Sequence, residues 1–237
     1  MEWQDEGIIL HTQLLGERKQ LVSLFTVEHG RHVGVLARSK KTTPWIQCGG
    51  YVKARWGARL ESHMGQWTFE PLSSSSAFLL ETPGPLAALV SAATLCHLGL
   101  PERHSYPSLF KTFKTLIQEL QTFHWLKSYA FFEVSLLEEL GYGLDLTVCA
   151  VTGTTENLVA VSPRTGRAVC AEVARPYRDR LLPLPGFLYD LELTPSFTEI
   201  AQALALTGYF LERHLLGRDL PPARSRLINR LEKEKAA

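Results

Sequence analysis

The segment Tyr51-Val52-Lys53-Ala54-Arg55-Trp56 alternates between apolar or aromatic side chains and basic ones. That is the period of two a β-strand imposes by sending successive side chains to opposite faces, so one face of the strand is basic. Upstream, Gly7-Ile8-Ile9-Leu10-His11-Thr12 alternates loosely, and Gln20-Leu21-Val22-Ser23-Leu24-Phe25-Thr26-Val27 is rich in strand-forming residues. His29-Gly30 reads as a tight turn into a third strand, Arg31 to Ala37. Downstream, Gln66-Trp67-Thr68-Phe69-Glu70 alternates again before Pro71 and the serine run that ends at Ser76. Five short strands in about 70 residues, with turn residues between them, predict a small closed or nearly closed barrel.

After the serines, which read as a linker, the period becomes helical. Pro85 to Leu98 is rich in Ala and Leu, and Leu109, Phe110, Phe113, Leu116, Ile117 and Leu120 recur at helical spacing. So do Leu126, Tyr129, Ala130, Glu133, Leu137 and Leu140, with Gly141 and Gly143 as the expected stop. Ser196-Phe197-Thr198-Glu199 has the spacing of a capping box and predicts a helix running toward Leu215. Pro221-Pro222 ends it, and Arg224 to Lys235 reads as a basic tail helix. The stretch 145–186 is turn-rich and weakly strand-like. The expected class is therefore α+β and multidomain: a barrel over 1–76, a helical domain over 77–144 and 187–237, and an insert at 145–186. A length of 237 residues allows such a division without disulfide or metal staples.

The formal net charge of +1 argues against a polyanion partner until it is divided along the chain. Residues 1–17 carry −4, 18–59 carry +8, 60–208 carry −6 and 209–237 carry +3. The +8 stretch holds Arg18, Lys19, Arg31, Arg38, Lys40, Lys41, Lys53, Arg55 and Arg59 against Glu28 alone. Such a block raises the local potential and attracts polyanions, the competing reading being a merely basic strand-and-loop surface. Phe25, Trp45, Tyr51, Trp56, Trp67 and Phe69 are interleaved with these cations, as in barrels that stack bases while Lys and Arg follow phosphates. Alternation sends most of these rings inward, Phe25 and Phe69 among them. Trp45, after Pro44 in a loop, is the ring expected to be exposed, and Arg38-Ser39-Lys40-Lys41 is the expected phosphate contact.

Chemistry beyond binding finds little support. The eight histidines are scattered, and H-E-x-x-H, G-x-S-x-G, P-loop and G-x-G-x-x-G patterns are all missing, so no catalytic residue and no cofactor is expected. Cys48, Cys96, Cys149 and Cys170 form no C-x-x-C pair. Cys149 and Cys170 nevertheless begin two frames in which Thr152 and Val173 occupy the second ligand positions of a zinc ribbon. Thr is a poor zinc ligand and Val is none, so a degenerate, metal-free ribbon is expected. No run of about 20 apolar residues is present, and the acidic start is unlike a signal peptide. A cytoplasmic protein with no membrane partner is expected.

These pieces together resemble one family. Gly7-Ile8-Ile9-Leu10, then Gly16-Glu17 opening a strand that ends in Leu24-Phe25-Thr26 before Glu28-His29-Gly30-Arg31, then Ala37-Arg38-Ser39-Lys40, are similar to the N-terminal OB-fold domain of the RecO recombination mediators. Phe132-Glu133, Leu136-Leu137 and Leu140-Gly141-Tyr142-Gly143-Leu144-Asp145 resemble that family's central helix, and Arg224-Ser225-Arg226 its basic C-terminal element. Zinc-carrying members have paired C-x-x-C knuckles, from which this chain departs at Thr152 and Val173. The resemblance implies a bacterial, nucleoid-associated, non-enzymatic protein of DNA repair by the RecF pathway. It would bind single- and double-stranded DNA, anneal complementary strands, and with RecR help RecA load on DNA coated by single-strand-binding protein (SSB). It also implies docking of the acidic SSB C-terminal tail on the helical domain, for which Lys127, Arg213, Arg218 and Arg226 are the candidate cations. The alternative is an RNA-binding or translation-associated OB-fold protein, for which the barrel alone speaks equally well.

Overall fold

The computed structural model describes residues 1–38, 45–60, 63–73, 79, 81–216 and 219–236. Five strands, β1 (Glu2–Leu15), β2 (Lys19–Thr26), β3 (Gly30–Ala37), β4 (Tyr51–Gly57) and β5 (Gly65–Ser73), close into a barrel in the order β1-β2-β3-β5-β4. All neighbours are antiparallel except β3 and β5. β1 is more than twice as long as its sequence pattern suggests. Its first half pairs with β4, from Glu2 opposite Gly57 to Ile8 opposite Tyr51, and its second half with β2. An irregularity between Ile9 and His11 lets one strand turn the barrel's corner. The polar start was illegible as strand because Glu2, Gln4 and Glu6 face out while only Trp3 announces the inner face. β5 likewise runs past the expected end at Glu70 to Ser73, through Pro71 opposite Val52.

The barrel core is Ile9, Val22, Leu24, Leu36, Ile46, Val52, Ala54, Trp56, Trp67 and Phe69. Two indoles dominate it, and the backbone makes room for them. Gly34 lies opposite Gly65 where the parallel β3–β5 ladder shuts the barrel. A Cβ on Gly65 would sit 2.1 Å from Trp56 Cε2, and one on Gly34 2.7 Å from Trp67 Nε1. Trp67 Nε1 instead donates to Val22 O at 3.1 Å, which satisfies the buried indole.

The α-helices are α1 (Pro83–Gly99), α2 (Pro107–Glu119), α3 (Trp125–Leu137), the single turn α4 (Ala171–Ala174), α5 (Phe197–Phe210) and α6 (Pro222–Ala236), and all but α4 match the sequence periodicity. α2 buries one stripe, Leu109, Phe110, Phe113, Leu116 and Ile117, and the Phe110 ring lies 5.4 Å from that of Phe25 on the barrel. α3 gives way to a π turn over Glu138–Tyr142, where Gly141 takes φ 83°, a left-handed angle natural to glycine. The capping box of α5 forms in full: Ser196 Oγ accepts from Glu199 N at 3.3 Å and Glu199 Oε2 from Ser196 N at 2.8 Å. Glu133 of α3 is buried, and its carboxylate accepts from Tyr129 Oη at 2.8 Å and from the Thr207 hydroxyl of α5. The expected α+β class is what the chain adopts.

The chain divides into two compact units, Met1–Trp125 with Pro221–Ala237, and Leu126–Leu220. α1, α2 and α6 thus group with the barrel, because α1 packs on both β1 and α6. Residues 145–186 contain β6 (Leu158–Val161), β7 (Ala168–Cys170) and β8 (Leu182–Pro183), a sheet in the order β7-β6-β8. Among the described residues, no helix is long and apolar enough to cross a membrane.

Candidate nucleic-acid interface

The charge blocks of the sequence do not remain blocks in space. Antiparallel pairing lays the acidic start of β1 beside the basic β4, with Gln4 opposite Arg55 and Glu6 opposite Lys53. On the other side of β4, Glu70 of β5 lies opposite Lys53. Arg55 Nε donates to Glu2 Oε1, and the guanidinium holds that carboxyl below its usual range. The outer face of β1, β4 and β5 is therefore a lattice of both signs, which gives a passing phosphate chain little net attraction.

Arg31 is committed differently. Its Nε donates to Leu100 O at 2.7 Å and its Nη1 lies 3.3 Å from Glu102 Oε1, so it staples β3 to the loop after α1. Arg18, Lys19 and Arg38, by contrast, converge at the β1–β2 turn. Lys19 pairs with Ala37 at the end of β3, Arg38 N donates to Arg18 O at 2.9 Å, and Arg38 Nη1 donates to Glu17 O at 3.2 Å. The Arg18 and Lys19 side chains are exposed, and Glu17 is the one acidic residue in the turn. Lys40 and Lys41 lie outside the described residues. Arg59 is exposed in the β4–β5 connection.

Among the described residues, the rings expected to stack bases are buried or half-buried. Trp45 is half-buried and packs against the barrel core, contrary to its expected exposure, because the residues after it return to the barrel: Gly49 N donates to Ile9 O at 2.8 Å. Trp56, Trp67 and Phe69 fill the interior, and Phe25, also buried, faces α2. Tyr51 is half-buried; its hydroxyl donates to Glu6 and accepts from Lys114 Nζ at 2.8 Å, with that ammonium 4.3 Å from the ring centroid. Burial, then Glu6, raises the Tyr51 pKa.

The cations expected to meet a peptide belong to different units. In Leu126–Leu220, Lys127 Nζ donates to Leu191 O at 2.7 Å and Leu193 O at 3.0 Å, and Arg213 Nη1 donates to Tyr209 Oη at 2.9 Å. Arg218 lies outside the described residues. Arg226 belongs to α6 in the other unit, where α6 and α1 border a groove of about 760 Å³. Leu86, Ala87 and Val90 form its apolar side, and Arg226, Arg230 and Lys233, one helical turn apart, form its cationic side. Sequence reading singled out Arg226 and passed over Arg230 and Lys233, although their spacing was visible.

In the insert, Cys149 and Cys170 are buried free thiols. Cys170 N donates to Cys149 Sγ at 3.4 Å, and Thr152 Oγ1 lies 3.7 Å from Cys170 Sγ. Burial pushes the Cys149 pKa up, but hydrogen bonds from the Thr152 hydroxyl and from the backbone of Thr152, Cys170 and Val151 outweigh it and bring the thiol to about 6. Two thiols, a hydroxyl and the isopropyl group of Val173 do not make a zinc donor set. Among the described residues, no group of three His, Cys, Asp or Glu side chains is placed to hold a metal ion.

Two family models cover the chain almost end to end: that for the N-terminal domain of recombination protein O over residues 1–74, and that for its C-terminal domain over 81–221. The chain belongs to the RecO family. It is 45% identical over 240 residues to the DNA repair protein RecO of Rhodospirillum centenum, covering 98% of this chain and 96% of that one. To the RecO of Cereibacter sphaeroides strain ATCC 17023 it is 44% identical over 237 residues, covering 98% and 99%. To that of Brucella abortus strain 2308 it is 42% identical over 239, covering 97% and 95%. The resemblance read from Gly7-Ile8-Ile9-Leu10, Phe132-Glu133 and Arg224-Ser225-Arg226 thus holds across the chain, and the RecO family frame applies to both units.

Proposed function

We propose that this protein acts in DNA repair as a non-catalytic recombination mediator, binding DNA through an OB-type barrel. The observation that carries this reading is the convergence of Arg18, Lys19 and Arg38 at the β1–β2 turn, one of the two loops with which such barrels grip oligonucleotides. Two single strands repel each other, and cations that neutralise phosphates on both lower the cost of bringing them together for annealing. No bond is made or broken. Membership of a family whose relatives are named DNA repair protein RecO favours DNA over RNA as the ligand.

The second part of the proposal is recruitment. The groove between α1 and α6 has the chemistry that a short acidic peptide with an apolar end requires: an apolar wall beside Arg226, Arg230 and Lys233. We assign it to the SSB C-terminal tail, so that the protein reaches coated DNA and, with RecR, opens it to RecA. The test is a paired titration of single-stranded DNA and of RNA of the same sequence, with an SSB-tail peptide alongside. Preference for DNA together with peptide binding that Arg226→Glu/Arg230→Glu abolishes supports the reading. Equal affinity for RNA with no peptide binding turns it into a generic OB-fold protein.

A further inference from the structure

One end of the barrel holds an aromatic pocket that the cationic turn does not use. It has a volume of about 320 Å³ and is lined by Met1, Trp3, Glu28, His29, His32, Trp56 and Arg103. The rings are ordered as a stack. His29 lies 3.9 Å from Trp3 at an interplanar angle of 3°, and Trp56 stacks on Trp3 at 5.7 Å. His32 meets Trp3 edge-on at 5.0 Å and Trp56 at 5.6 Å.

Both histidines are positioned by the fold. Asp5 fixes His29: its Oδ2 is 3.1 Å from His29 Nδ1 and also accepts from Glu28 N at 2.8 Å. His32 lies opposite Leu24 on the barrel's inner side, with 6% of its surface exposed. Its Nδ1 is buried and has no hydrogen-bond partner. A buried polar atom without a well-formed hydrogen bond is costly, so a ligand that completes it is favoured. Burial, then Arg103, pulls the imidazole pKa down to about 4, so at neutral pH His32 is an uncharged donor or acceptor.

The rim supplies charge. Arg103 is exposed, takes φ 62°, and is tied to the barrel by its N–H on Arg31 O at 2.9 Å. On the Met1 side, Ala58 N donates to Met1 O at 3.0 Å, which ties the end of β4 to the first residue of the pocket wall. Glu28 is the anion of the rim. A ligand suited to this place is flat and aromatic, carries both donors and acceptors on its edge, and is attached to a phosphate.

We propose that the pocket receives one unstacked nucleobase of single-stranded DNA, held against the Trp3–His29 stack, hydrogen-bonded at its edge by His32, with a neighbouring phosphate on Arg103. This rests on the DNA-binding reading and extends it to a base-holding subsite at the end of β1 away from Arg18 and Lys19. A base in a duplex is paired and stacked, so the subsite discriminates single strands from double ones without reading sequence.

The test uses the full chain and two probes: a short mixed-sequence single-stranded oligonucleotide and its abasic analogue with the same phosphates. Binding is followed by anisotropy, and the indole N–H of Trp3 and the ring of His32 by NMR, Trp3 being assigned with Trp3→Phe. Trp3 and His32 signals that move with the oligonucleotide but not with its abasic analogue are the expected result, with Trp3→Leu weakening binding about tenfold. Because Trp3→Leu also removes packing from Trp56, the wild-type NMR readout decides. If the oligonucleotide binds while both signals stay fixed, or if the abasic strand moves them equally, the subsite is overturned and the DNA-binding reading stands. If neither probe binds, both fall.

Discussion

Gly34 and Gly65 face each other across the parallel β3–β5 ladder, and each leaves vacant the place that a tryptophan ring occupies. Gly65→Ala would set a methyl group 2.1 Å from the Trp56 indole, whose ring is itself enclosed by Trp3 and His32 and cannot retreat. We expect a loss of about 3 kcal/mol or outright failure to fold, and a smaller loss for Gly34→Ala, where the methyl group would stand 2.7 Å from Trp67. Denaturant unfolding of the two variants side by side checks the order.

Binding to single-stranded DNA should respond unequally to reversal of cations that look alike in sequence. Arg18→Glu/Lys19→Glu is expected to lower affinity and to flatten its dependence on salt by about 0.7 in the log–log slope for each phosphate no longer neutralised. Arg55→Glu should change that slope little, because Arg55 already answers Glu2. Arg31→Ala should reduce stability more than binding, since Arg31 joins Leu100 and Glu102. Anisotropy titrations at several salt concentrations separate the three.

Acid should weaken the barrel through His32. Its pKa lies near 4 in the folded protein against an ordinary 6.5, so between these values the unfolded chain binds more protons than the native one. Stability therefore rises with pH through this window. The contribution is complete above about 6.5, falls away toward about 4, and for His32 amounts to at most about 3 kcal/mol. His97, lowered to about 4 first by burial and then by His11 and Arg31, acts in the same direction. Urea midpoints at neutral pH and near pH 4.5 should differ less for His32→Phe than for the wild type.

The insert offers a gain-of-function test. Thr152→Cys with Val173→Cys supplies the two thiols that the frame lacks, and the double variant should take up one zinc ion per chain. Elemental analysis of both proteins reads the outcome directly; stoichiometric zinc in the unsubstituted chain would reverse the reading of Thr152 and Val173.

Ser196→Ala removes the acceptor for Glu199 N and half of the reciprocal cap of α5. A cost of about 1 kcal/mol is expected in unfolding experiments, with DNA binding unchanged.

The helices were legible because their signals are local: the capping box at Ser196 and the apolar stripe of α2 need only their own residues to be read. The alternation of β4 was legible on the same terms. What sits beside β4 was not, because Glu6 reaches Lys53 across more than forty positions of chain through a register that no local pattern encodes. Hence the +8 block looked like a basic surface when its strand residues are interleaved with the acidic start. That Trp3, His29, His32 and Trp56 form one cluster was not legible for the same reason. They meet only once β1 lies against β4 and the β2–β3 hairpin has turned, and His29 and His32 by themselves are two of eight scattered histidines.

The placement of α6 bears on how the molecule is made. The barrel unit contains Met1–Trp125 and Pro221–Ala237, so its helical flank is drawn from two stretches far apart in the chain. On a ribosome, β1 to β5 and α1 emerge early, yet the α1 surface that receives α6 stays uncovered until the 95 residues of Leu126–Leu220 have been added. That second unit is complete before the surface is covered. A nascent chain arrested before Pro221 should thus lack the α6 cover on α1 and engage chaperones longer than a chain that includes α6.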